Sequence, residues 1–201
     1  RREDVFFEDN DRTIYLEWLG HYCQKFNVDV LAYCLMKNHV HLVLTPSDVD
    51  GLHNVLKPLH MRYAQHINKA KGWRGHLWQG RFFSSALDEA YTCSAIRYVE
   101  RNPVEAGMLA QAETYPWSSA ASHCGLESRA LLAQPPQALR TLSGSEWAKW
   151  LAVPETEENI GLLRRHAEKG LPCGGEDFLD GLEVLAGRSL RYRAQGRPKK
   201  G

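Results

Sequence analysis

At 201 residues the chain has room for one domain with an extension, or two small ones, and is long enough to bury a core. No apolar run approaches a membrane span, no secretory signal precedes the first predicted helix, and Cys23, Cys34, Cys93, Cys124 and Cys173 form no C-x-x-C. These features exclude a zinc ribbon and a disulfide framework, and they fit thiols packed as small hydrophobes in a reducing cytoplasm.

The formal net charge of +1 conceals segregation. Residues 51–87 contain no acid but hold Lys57, Arg62, Lys69, Lys71, Arg74 and Arg81, and residues 188–201 are likewise basic. Nine of the 24 acids fall in residues 146–183. Two basic patches suit a phosphate backbone, although a solvated face explains each equally well.

In chain order, Asn10-Asp11-Arg12-Thr13 offers caps for a helix with Tyr15, Trp18, Leu19, Tyr22 and Phe26 at helical spacing, a core stripe. Residues 28–34 read as a strand with Val28, Val30, Ala32 and Cys34 on one face. A turn through Met36-Lys37-Asn38 leads into a second strand, giving an antiparallel hairpin. In that strand Val40, Leu42 and Leu44 face a core, while His39 and His41 project together from the other face. Two imidazoles two residues apart can share one metal ion. The pair alone is equally the mark of two ordinary strand residues.

A long helix is expected over residues 51–71, with a kink or later start at Pro58. Gly72-Trp73-Arg74-Gly75 breaks it, and Leu77-Trp78-Gln79-Gly80-Arg81-Phe82-Phe83 reads as a loop entering a short strand to about Leu87. Asp88-Glu89 open a helix that Pro103 should stop at Asn102. Beyond Gly107 a short helix begins near residues 115–119. From about residue 127 an extension follows, with helices over residues 145–151, 156–169 and 176–186. The tail from Arg188 has no apolar period and is expected to be disordered.

Tyr98 and Asn102 lie four apart on one helical face. A tyrosine hydroxyl can attack phosphorus when a cation draws charge off the phosphate, and a nearby amide oxygen can help hold such a cation. A half-buried tyrosine and a helix-terminal asparagine before proline are the plain alternatives.

Three blocks resemble the single-tyrosine HUH transposases of the IS200 type, most closely the REP-associated tyrosine transposases. They are Met36-Lys37-Asn38-His39-Val40-His41-Leu42-Val43, Trp78-Gln79-Gly80-Arg81-Phe82, and residues 96–107, which include Tyr98-Val99-Glu100-Arg101-Asn102-Pro103-Val104. The resemblance spans most of residues 1–125. It implies an α/β (α+β) ferredoxin-like HUH domain, an antiparallel central sheet flanked by helices, with residues 126–201 as a helical extension bearing a basic tail. His39, His41 and Asn102 would hold Mg²⁺ or Mn²⁺, and Tyr98 would be the nucleophile. The implied reaction cleaves single-stranded DNA beside a hairpin, leaving a 5′-phosphotyrosine and a free 3′-OH.

Arg81 is the expected phosphate contact, and Lys57, Arg62 and Lys69 the contacts to a hairpin stem. Trp78 is a base-stacking candidate, or else a core tryptophan, and Gln79 a base-edge reader. Gly196-Arg197-Pro198-Lys199-Lys200 resembles a minor-groove arm, with Arg197 inserted and Lys199 and Lys200 on phosphates. Glu100 faces away from Tyr98 and is given no role. Relatives begin with a strand that this sequence lacks, so an exposed strand edge is expected. The expected partner is hairpin DNA of the REP palindromic type, with no membrane, in the cytoplasm at the nucleoid; a homodimer stays open. The rivals are a non-catalytic hairpin-binding regulator and a zinc hydrolase.

Overall fold

A computed structural model describes residues 3–192; Arg197, Lys199 and Lys200 lie outside the described residues. Helix α1 (Asp9–Lys25) begins as Asp11 accepts the Phe7 and Glu8 N–H groups. Strands β1 (Val28–Leu35) and β2 (Val40–Pro46) form the expected antiparallel hairpin, with Cys34 opposite His41 and Leu35 opposite Val40.

The predicted alternation of β1 holds only in part. The register shifts between Val30 and Ala32, so Leu31 is an extra residue and the faces exchange beyond it. Val28, Val30, Tyr33 and Leu35 pack with Tyr15, Leu19, Val55, Leu59 and Tyr63. Ala32, Cys34 and Met36 turn to the other side, beside Val43, Ile96 and Val99. The hairpin is therefore covered on both faces, by α1 and α2 (Gly51–Lys71) on one and by α3 (Glu89–Glu105) on the other.

Helix α2 starts at Gly51 and continues through Pro58 to an end closed by Gly72 at φ +67°. Proline removes one N–H from the ladder, but Val55, Leu56, Leu59 and Tyr63 on either side of it are buried and hold the helix together. Tyr15 Oη lies 3.0 Å from His60 Nε2, and the Trp78 indole stacks 4.4 Å from the same imidazole while donating to the His60 carbonyl. Burial pushes His60 down to about 4, whereas a free imidazole titrates near 6.5. Below about pH 6.5 the unfolded chain takes up a proton that the fold refuses. Stability from this site is complete above that pH and is lost as pH falls toward about 4. His60→Gln is expected to flatten the decline of Tm across this window; an unchanged slope in thermal melts would contradict the assignment.

The strand expected up to Leu87 is absent. Residues 72–88 have no partner strand alongside and form an irregular connection with one isolated bridge, Leu87 to Cys173. The connection is tied at both ends: Trp78 to α2, and Ser85 Oγ to the Leu171 carbonyl at 2.6 Å, with Cys173 N–H donating to the Ala86 carbonyl. Helix α3 also differs from expectation. It passes Pro103 and ends only at Glu105, because the Ala106 N–H still reaches the Asn102 carbonyl, and Gly107 at φ +68° supplies the stop.

The outer edge of β1 is partly occupied. Leu35 N–H donates to Trp117, Ser119 N–H to Tyr33, and Ala133 N–H to Val30. Helices α4 (Ala120–His123), α5 (Gly144–Ala152), α6 (Glu157–Lys169) and α7 (Glu176–Ala186) complete an α+β fold whose two-stranded sheet is consistent with the expected class. Trp147, Leu151 and Leu163 of the extension share one core with Ile96 and Val99 of α3. At the start of the tail Leu190 is buried and Arg191 bonds Glu176, Asp180 and Glu183; residues 193–201 of the tail lie outside the described residues. No helix among the described residues is long and apolar enough to cross a membrane.

Candidate active site

Burial of Val43 against α3 turns the same face of β2, and with it His41, toward that helix. The Nε2 atoms of His39 and His41 are 3.0 Å apart, and the rings meet edge to face. Asn38 Oδ1 lies 2.6 Å from His39 Nδ1; a proton on Nδ1 leaves the Nε2 lone pair directed at His41. Two lone pairs at that distance repel unless a proton or a cation lies between them. His41 is pushed down to about 3, first by burial, then by His39 and the Arg164 guanidinium. It is therefore neutral at physiological pH, as a metal ligand must be.

The Tyr98 ring stands edge-on to His41 at 5.5 Å between centroids. Its hydroxyl accepts from Arg164 Nε at 3.1 Å, and the guanidinium lies 5.4 Å from the ring centre. Strand β2 and helix α6 of the extension thus meet α3 at one tyrosine, His41 against its ring and Arg164 at its oxygen. Asn102 is one turn further along α3 and almost fully buried.

The other sequence candidates fall elsewhere. Lys57, Arg62 and Lys69 lie on α2, across the hairpin from Tyr98, and Arg62 rests on the Trp18 ring at 4.1 Å. Trp78 is half-buried against α2, while Gln79 and Arg81 are exposed just beyond it. Lys57 and Lys69 are exposed.

Sequence reasoning missed two features. Arg164 has no local signature, because it reaches Tyr98 from 66 positions away. Glu100 is fully buried and accepts from Ser119 Oγ, His123 Nδ1 (2.6 Å) and Trp147 Nε1 (2.9 Å), which makes it the polar anchor between α3 and the extension.

A family model described as "Transposase IS200 like" matches residues 1–102, which include both histidines, Tyr98 and Asn102. Comparison with curated proteins and with solved structures returned no match. Since that model covers half of the chain, the protein belongs to the IS200-like transposases, a family that cleaves and rejoins DNA.

Proposed function

We propose that the protein is a metal-dependent, site-specific single-strand DNA endonuclease and strand transferase that works beside hairpins of the REP palindromic type. The observation that carries this reading is the convergence of the paired His39 and His41 imidazoles with the Tyr98 ring between β2 and α3. In the cleavage step Tyr98 Oη forms a bond to phosphorus as the bond from phosphorus to the 3′-oxygen breaks. The phenolic proton is balanced by the proton gained on the 3′-OH. The phosphodiester energy is conserved in the 5′-phosphotyrosine, so rejoining by a 3′-OH needs no external source.

The histidines fit a divalent cation. Two ligands at right angles and about 2.1 Å from an ion are about 3.0 Å apart, which matches the separation of the two Nε2 atoms. Asn102, one turn from Tyr98, would offer a third, carbonyl ligand of the kind Mg²⁺ or Mn²⁺ accepts. Such a cation, when bound, draws charge off the phosphate oxygens. The protein's own side chains orient the tyrosine and exclude water from one side of it. A zinc hydrolase would need a third strong ligand, and among the described residues no third His, Cys, Asp or Glu joins the pair.

Arg81 and Gln79, exposed on their tied loop, are suited to a phosphate and a base edge, and Trp78 to holding that loop. Lys57, Arg62 and Lys69 would reach a stem wrapping the far side of the hairpin. The tail residues Arg197, Lys199 and Lys200 would follow a minor groove. This activity belongs at the cytoplasmic nucleoid.

The test is a denaturing gel after mixing the protein with labelled single-stranded REP-type hairpins and Mn²⁺. A metal-dependent covalent band is expected. His39→Ala should raise the Mn²⁺ concentration for half-maximal adduct at least about ten-fold. Tight binding with no band from any hairpin would instead support a non-catalytic regulator.

A further inference from the structure

We infer that Arg164, supplied by the extension, is a catalytic residue of the Tyr98 site: its guanidinium holds the tyrosine oxygen through Nε and receives the scissile phosphate on its outer nitrogens. The inference rests on the proposed role of Tyr98. Of the five N–H donors of a guanidinium, one is used on Tyr98 Oη, and among the described residues the Nη1 and Nη2 groups make no hydrogen bond. These groups form a planar fork that matches two phosphate oxygens, and Arg164 is exposed enough for DNA to reach it. A phosphate in line with Tyr98 Oη therefore lies within reach of the fork.

The approach of α6 is fixed by contacts on both sides of the nucleophile. Arg97, the residue before Tyr98, pairs with Glu155 at 2.9 Å and lies 4.4 Å from the Trp150 ring centre. Arg101, one turn later, donates to the Leu151 carbonyl and to Glu105. Leu163, next to Arg164, is buried in the core shared with α3. An arginine on a loosely tethered tail would lose most of its benefit to ordering entropy, whereas this one is positioned before DNA arrives.

No proton moves through Arg164 in this role, since a guanidinium stays charged throughout. It offsets charge on the phosphate oxygens while the Oη–P bond forms and the bond to the 3′-oxygen breaks. This differs from simple support of the tyrosine. A supporting group would alter the resting protein, whereas a phosphate fork acts mainly on the rate of the covalent step.

The experiment compares wild type, Arg164→Ala, Arg164→Lys and the neighbouring control Arg165→Ala on the denaturing gel with Mn²⁺ and the labelled hairpin. Hairpin affinity is measured in parallel. Arg164→Ala is expected to slow single-turnover adduct formation about 100-fold while changing hairpin Kd about two-fold or less. Arg164→Lys should fall between the two, and millimolar ethylguanidinium should restore part of the Arg164→Ala rate, which a purely structural defect would not permit. Adduct that forms at the wild-type rate or faster in Arg164→Ala overturns this inference alone. Absence of adduct in wild type as well overturns the Tyr98 reading and this inference with it.

Discussion

Tyr98→Phe is expected to abolish the covalent DNA adduct while leaving hairpin Kd within about two-fold of wild type. Phenylalanine preserves the ring that stands against His41 and lies beneath Arg164, so packing between β2, α3 and α6 is retained. Only the oxygen is lost, and with it the atom proposed to bond phosphorus. The buried nucleophiles of the core around α3 are poorly placed to replace it. Ser118 and Ser119 are fully buried, and the free thiols at Cys34, Cys124 and Cys173 are buried, with their pKa values raised by burial, which keeps the reactive thiolate form scarce. The measurement is the denaturing gel beside a native binding assay. A full-strength adduct in the variant would sink the assignment of the nucleophile, and a large loss of binding would make Tyr98 a DNA-binding residue first.

The second large effect concerns stability. Glu100→Ala is expected to cost about 3–5 kcal/mol, lowering Tm by roughly 10 °C for a chain of this size. The carboxylate is wholly buried, and its removal takes the acceptor from His123 Nδ1 and Trp147 Nε1 and leaves Ser119 Oγ only its longer contact to the Tyr33 carbonyl. Each donor left without an acceptor in this buried cluster carries its own desolvation penalty. Glu100→Gln should lose less, since its amide oxygen can still accept from Trp147, while its NH₂ requires Ser119 Oγ or His123 Nδ1 to switch from donating to accepting. Thermal melts of both variants measure this. A Glu100→Ala protein within about 1 kcal/mol of wild type would show that the cluster repacks without its centre.

Much of this architecture follows from local patterns. The helices of the extension were legible to within a residue or so because α5 and α6 carry Ser143 and Thr156 as caps and Gly170 ends the second. The His39–His41 pair and its closeness to Tyr98 were legible in two stages: strand parity placed the imidazoles together, and motif resemblance brought α3 to them. The bulge at Leu31 was not legible, since a run of buried residues on β1 reads equally well in either parity. Pro103 misled for a related reason. Local sterics favour a stop there, but Asn102 and Pro103 are buried, and that packing outweighs the lost N–H. The contacts of Glu100 and Arg164 were beyond local reading altogether. Both depend on where distant helices dock, which no spacing within α3 or α6 encodes.

The irregular connection between α2 and α3 is tied to α2 at Trp78 and to the extension at Ser85 and Ala86. Between these ties Gln79, Gly80 and Arg81 stand exposed. A free connection would have to be frozen along its whole length on meeting DNA, at roughly 1–2 kcal/mol of backbone entropy per residue. Here folding has already ordered both ends, so a ligand need restrain only the short stretch between them. On the proposed reading the loop would meet DNA as a strap already fastened at both ends, with more of its contact energy left for affinity.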